Sequence, residues 1–139
     1  MLNEKKSLAT NTPLLLAAVI ALVLIALYAI ARAPVTLDDT SLRVGGIYGV
    51  VVDYARIEKI ELSDNFDEVG VKTNAFELAY VEIGNYTFKD VGAALVYRTS
   101  TDPHALIIRT SAKTIVIQKG AAENRRIFDA LVAKTRRSP

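Results

Sequence analysis

His104 is the single histidine of the chain, and it follows Asp102-Pro103 in a stretch rich in turn-forming residues. An imidazole does acid–base or metal chemistry only with partners at hand. There is no cysteine and no second histidine, so a metal at His104 would rest on carboxylates alone. His104 therefore reads as a surface-loop residue. Asp64, Asp67 and Glu68 cluster around Asn65-Phe66. Such oxygen ligands suit calcium, but the calcium-loop pattern, with its central glycine and closing glutamate, is absent. A solvated acidic loop is the expectation. Gly45-Gly46 with Gly49 lacks the Gly-Lys-Ser/Thr and the helix start of a phosphate-cradling loop, and a bend between strands explains these glycines. No serine or threonine sits in a nucleophile-elbow pattern. The residue types thus predict no catalytic centre, no metal site and no cofactor.

Basic residues offer a different chemistry. Arg125, Arg126, Lys134, Arg136 and Arg137 crowd the C-terminal end. Near an anionic membrane surface each would contribute about 1 kcal/mol, which makes them the candidate membrane-contact set. The competing expectation is a solvated helix face whose late positive charges complement the helix dipole. Net charge does not decide between them. It is +2 for the chain, and from Ser41 onward fourteen Lys/Arg face twelve Asp/Glu. So balanced a domain lacks the clustered positive footprint of a nucleic-acid binder.

These residues must be positioned by two different kinds of sequence. At 139 residues there is room for one ordinary domain and a short appendage. Hydrophobic residues make up 51% of the chain, and the excess is concentrated in Pro13 to Ala31, which has no charged side chain. At about 1.5 Å per residue this run makes a helix of roughly 28 Å, close to the hydrocarbon thickness of a bilayer. We expect a transmembrane helix over 13–32 after a flank of residues 1–12. Pro13 would stand at its first turn, where a missing N–H costs nothing, and Tyr28 and Arg32 would sit at the far interface. A cleaved signal peptide has a shorter apolar core, and Pro34 would follow a cut at Ala31-Arg32-Ala33, although cutting after Ala31 stays open. Lys5 and Lys6 nearly balance Arg32 and Arg43 under the positive-inside rule. The expected orientation is a cytoplasmic N-terminus and an extracytoplasmic domain at the cell membrane.

Residues 33–40 read as a linker, and the domain is expected over 41–139. Short β-type runs occupy Ser41 to Val44, Ile47 to Val52, Val69 to Thr73, Phe76 to Ile83 and Asn85 to Lys89. Asp53 to Arg56 reads as a turn, and Ile57 to Leu62 is ambiguous. Ala93 to Arg98, Ala105 to Thr110 and Lys113 to Gln118 are clearer. The last two flank Ser111-Ala112, a tight connection that suggests a hairpin, and their nearly continuous apolar centres suit well-buried strands. From Ala121 to Arg137 the period changes. Ile127, Phe128, Leu131 and Val132 make one stripe of an amphipathic helix, with Phe128 expected in the core. The fold class is mainly β: a curved sheet or partly open barrel capped by a C-terminal α-helix and preceded by one transmembrane helix.

Several short stretches carry a family resemblance. Gly46-Ile47-Tyr48-Gly49 and Tyr54-Ala55-Arg56-Ile57-Glu58-Lys59-Ile60 are similar to the opening strand, turn and second strand of the bacterial pleckstrin-homology-like (bacterial PH) domains. Thr73-Asn74-Ala75-Phe76 and Gly84-Asn85-Tyr86-Thr87-Phe88 resemble the central glycine-containing segment of that family, and the helix from Asn124 resembles its closing element. Ala75 departs from the pattern, which has glycine there. The resemblance implies a small curved sheet closed by a helix, and membrane-associated binding or assembly. Phosphoinositide binding would need a basic phosphate-binding loop, which the sequence does not show. A sheet edge of this kind can pair with a protein partner or with a second copy as a homo-oligomer.

Overall fold

The structure, a computed structural model, describes residues 2–66 and 69–137, and among these the side chains of 11–29, 31–66 and 69–137. Lys5, Lys6, Asp67 and Glu68 thus lie outside the described side chains. The chain divides into two units, Met1–Arg32 and Ala33–Pro139.

The first unit is a helix, α1 (Leu2–Arg32). Its segment Asn11–Ala29 is long and apolar enough to cross a membrane, with a mean hydropathy of 2.5 and no burial by protein. Pro13, expected at the first turn, lies well inside the helix. The preceding residues include Leu2, Glu4, Lys5, Lys6, Leu8 and Ala9, all good helix formers, and the helix continues back through them. At the other end the Arg32 guanidinium stands 5.5 Å from the Tyr28 ring.

The second unit is mainly β, with a closing helix. Strands β1 (Val35–Leu37), β2 (Ser41–Val44) and β3 (Val50–Asp53) form a three-stranded antiparallel sheet. Residues 33–40, expected as a linker, therefore belong to the domain. Val35 pairs with Val44 and Leu37 with Leu42, while Pro34 O accepts from Gly45 N at 2.9 Å. Too few apolar residues flank this strand for the sequence pattern to reveal it. A 3₁₀ turn at Tyr54–Arg56 follows β3. The Tyr54 hydroxyl donates to Asp38 O at 2.6 Å and fastens the turn to the β1–β2 connection.

The larger sheet contains β4 (Ile57–Ser63), β5 (Val71–Leu78), β6 (Val81–Phe88), β7 (Gly92–Arg98), β8 (Ala105–Thr110) and β9 (Thr114–Gln118). Its spatial order is β4-β8-β9-β7-β6-β5. The expected strand Phe76 to Ile83 is corrected: a hairpin turn at Ala79-Tyr80 divides it between β5 and β6. Ala79 takes a positive φ of 53° there. Neither glycine, proline nor asparagine marks this turn, and the pairing of Leu78 with Val81 fixes it. Gly84 is required by its own ladder. Its φ is 140°, and a Cβ would stand 2.5 Å from Ala75 Cα and from Asn74 O. Ala75, where the resemblance would place glycine, stands opposite Gly84 in this ladder.

Connectivity is less regular than the sequence implies. β7 and β9 are parallel, and β9 lies between β7 and β8. The chain leaves β7, passes over one strand position through residues 99–104, runs along β8 and returns as β9. Successive residues of β7, β8 and β9 are buried, so these central strands are covered on both faces. β8 and β9 are as well buried as their apolar centres predict. One face buries Tyr86, Phe88, Ala94, Val96, Ala105, Ile107 and Val116, with Phe66 folded over them. Residues alternating with these, among them Ile83, Leu95, Tyr97, Leu106, Ile108, Ile115 and Ile117, are buried on the other face.

α2 (Ala121–Arg137) packs against β4, β8, β9 and β1. Ile127 and Leu131 are its fully buried apolar side chains. Phe128, expected in the core, is only half-buried, with the Arg125 guanidinium 5.9 Å from its ring. The buried stripe is centred nearer Asn124, Ile127 and Leu131 because Asn124, a polar residue, takes a core position.

Candidate functional site

The crossover between β7 and β8 builds one wall of a concave cleft of about 560 Å³. Ser100, Thr101, Asp102 and Pro103 come from this loop, and Phe66, Val69 and Gly70 come from the segment after β4. The floor is a row of side chains brought abreast by strand register. Glu77 lies opposite Glu82, Glu82 opposite Arg98, and Arg98 opposite Gln118.

Contacts tie this row together. Arg98 Nη1 donates to Glu82 Oε2 at 2.7 Å, and its Nε donates to Gln118 Oε1 at 2.7 Å. Gln118, itself buried, donates from Nε2 to Phe66 O at 3.3 Å. The Tyr86 hydroxyl donates to Glu77 Oε1 at 2.9 Å, and Lys72 Nζ lies 3.4 Å from Glu77 Oε2. The Tyr86 hydrogen bond, helped by Lys72, holds Glu77 below the usual carboxylate range. Burial, then the same Glu77 bond, pushes the Tyr86 phenol up. Glu77, Glu82 and Asp102 thus share the cleft with one guanidinium, so its lining is acidic on balance. The Ser100 hydroxyl oxygen accepts from Asp102 N at 3.1 Å. Tyr80, 55% exposed, stands among the residues that line the cleft. The geometry suits hydrogen bonding and recognition of positive or polar groups.

Sequence reasoning missed every floor residue of this cleft. A polar residue closes each of two apolar strands, Arg98 after Ala-Ala-Leu-Val-Tyr and Gln118 after Thr-Ile-Val-Ile. That signal becomes readable only once β7 and β9 are known to be parallel neighbours.

His104 is less isolated than its sequence setting implies. Its Nδ1 contacts Asp102 Oδ1, and Asp102 Oδ1 also accepts from His104 N at 2.9 Å. Asp102 Oδ2 accepts from Ala121 N at 3.1 Å, the first N–H of α2. Gly120, with a φ of 99°, has no side chain to cap that helix, so Asp102 supplies the acceptor from another loop. These bonds, first those from His104, hold the Asp102 carboxyl down at about 2. Asn124 completes the brace: Oδ1 accepts from Lys119 N and Nδ2 donates to His104 O, each at 3.0 Å. Asp64 Oδ1 is 4.0 Å from His104 Nε2, with a side chain that is 99% exposed. Among the described residues no group of three or more His, Cys, Asp or Glu side chains could hold a metal ion.

The five basic residues of the candidate membrane-contact set are differently placed. Arg126 is engaged twice by Glu123, at 2.6 and 3.0 Å, and Lys134 lies 3.7 Å from Asp39. Arg125 stacks over Phe128. Arg136 and Arg137 are exposed and make no ion pair among the described residues. The helix presents less uncommitted charge than a count of its arginines gives.

The two ends of the larger sheet also differ. β4 is packed by α2. β5 is the outermost strand at the other end, pairs among the described residues only with β6, and is mostly exposed along its eight residues. Comparison with known protein families, with characterised proteins and with solved structures gives no match.

Proposed function

We propose that this chain is a non-enzymatic, membrane-anchored binding or assembly module whose domain is of the bacterial pleckstrin-homology-like kind. In this reading α1 crosses the membrane once and the domain stands on the extracytoplasmic side. A protein partner is engaged through the β5 edge and the adjoining cleft. The observation that carries the reading is the outer edge of β5. It is eight residues long, unpaired by any strand among the described residues, and lies beside a recognition cleft. An open edge offers backbone donors and acceptors to an extended segment, and confinement to one membrane raises the effective concentration of partners. The family assignment is supported by the order of elements, a β-rich body closed by one helix. The rival reading, a lipid contact through α2, has chiefly Arg136 and Arg137 to support it.

Hydrogen exchange on β5 tests the proposal. Its amides should be protected in native membrane vesicles and exchange rapidly in dilute detergent. Equal exchange in the two settings would remove the edge from consideration. Protease digestion of the domain in intact cells, with protection in inverted vesicles, checks the side of the membrane.

A further inference from the structure

The β5 edge carries a pattern that selects its partner. The strand reads Val71-Lys72-Thr73-Asn74-Ala75-Phe76-Glu77-Leu78, with apolar residues at its ends and opposite charges just inside them. Val71 and Leu78 are 72% and 46% exposed. The Lys72 and Glu77 side chains are 48% and 42% exposed.

In an antiparallel pair of identical strands the twofold axis runs perpendicular to the sheet, so opposed residues share one face. In a regular strand, Lys72 and Glu77 would point to opposite faces, because their spacing is odd. The bulge removes this conflict. The ladder with β6 shifts between Lys72 and Asn74, which leaves Thr73 without a partner in β6. Lys72 stands opposite Tyr86 and Glu77 opposite Glu82, two positions on either side of Gly84. Val71 and Leu78 stand opposite Thr87 and Val81, three positions on either side. Asn74 and Phe76 flank the same centre, and Ala75 occupies it. The Thr73 hydroxyl donates to Asn85 O at 3.1 Å, tying the extra residue back to β6.

We propose that β5 pairs with β5 of a second copy of this chain, antiparallel, about a twofold axis midway between the two Ala75 residues. Lys72 then meets the partner's Glu77 and Val71 meets the partner's Leu78, each contact occurring twice. The pairing joins the two six-stranded sheets into one of twelve strands. Charge self-complementarity selects a second copy over an unrelated segment. The Lys72–Glu77 contact within one chain, at 3.4 Å and exposed, is exchanged for the contact between chains. This inference rests on the binding-module reading and names its partner.

The chain has no native cysteine, so engineered thiols report without background. Full-length Val71→Cys and Leu78→Cys chains, co-reconstituted in liposomes, should form a disulfide with each other under mild oxidation. Either variant alone should not. Carried into this pair of chains, Lys72→Glu in both, or Glu77→Lys in both, places like charges opposite one another and should cut crosslinking about tenfold. Lys72→Glu in one chain and Glu77→Lys in the other restores both pairs and should recover it, which separates lost pairing from lost folding. No disulfide in the mixed liposomes, equal crosslinking of each cysteine variant alone, or insensitivity to the charge changes would overturn the proposal. β5 protection in native membranes without the disulfide would also reject the second copy, while leaving the binding-module reading in place.

Discussion

Asp102 shows how one side chain can join several distant parts of the sequence. It lies in the crossover loop, accepts from His104 and caps α2 at Ala121. Its carboxyl is held at about 2 against an ordinary value of 3.8, first by the His104 bonds. A depressed carboxylate contributes stability that is present above the unfolded value and lost as pH falls through the folded one. The wild-type protein should therefore lose this contribution between about pH 4 and pH 2. Asp102→Asn should unfold at lower urea than wild type at pH 7, and the difference should close near pH 2. A gap unchanged at pH 2 would show that the carboxylate's charge is not what braces the helix. Sequence alone marked His104 for its solitude and placed it in a surface loop. The brace was not legible because Asp102, Ala121 and Asn124 meet only after the crossover brings that loop to the start of α2.

At the scale of elements, α2 gives the sharpest separation between pattern and packing. Its span, Ala121 to Arg137, is readable from the change of period after Gly120. The depth of each apolar residue was not, because the i, i+1, i+4, i+5 stripe treats Ile127 and Phe128 alike. Burial divides them: Ile127 and Leu131 are fully enclosed, whereas Phe128 is half-buried under Arg125. Leu131→Ala should cost about 2–5 kcal/mol through transfer and cavity terms, and Phe128→Ala should cost less despite removing more atoms. Chemical denaturation of the two variants checks the order, and the reverse order would place the helix in a different rotation. The β5–β6 hairpin was illegible for another reason. Leu78-Ala79-Tyr80-Val81 carries no residue that favours a turn by its own chemistry, and long-range pairing of the two strands sets the reversal.

For the whole molecule, the boundary between the two units lies at Arg32–Ala33. A fragment of residues 33–139 should be soluble and should unfold in one cooperative transition. A fragment beginning at Ser41 removes β1 and leaves the outer edge of β2 open, with Leu42 and Val44 losing their ladder partners. It should melt several degrees lower, by circular dichroism or calorimetry. Equal melting temperatures would return residues 33–40 to the role of a linker.

The apolar run that makes α1, the deep burial of β8 and β9, and the extent of α2 were determined by sequence. Each depends on local periodicity or length, which a linear pattern records. Only the tertiary structure decided that β9 lies parallel to β7, that 33–40 adds a strand, and that Arg98 bridges Glu82 and Gln118. Those features are choices of partner between distant segments. A strand's own residues fix which face is apolar, but its neighbour is fixed by the chain that crosses beside it.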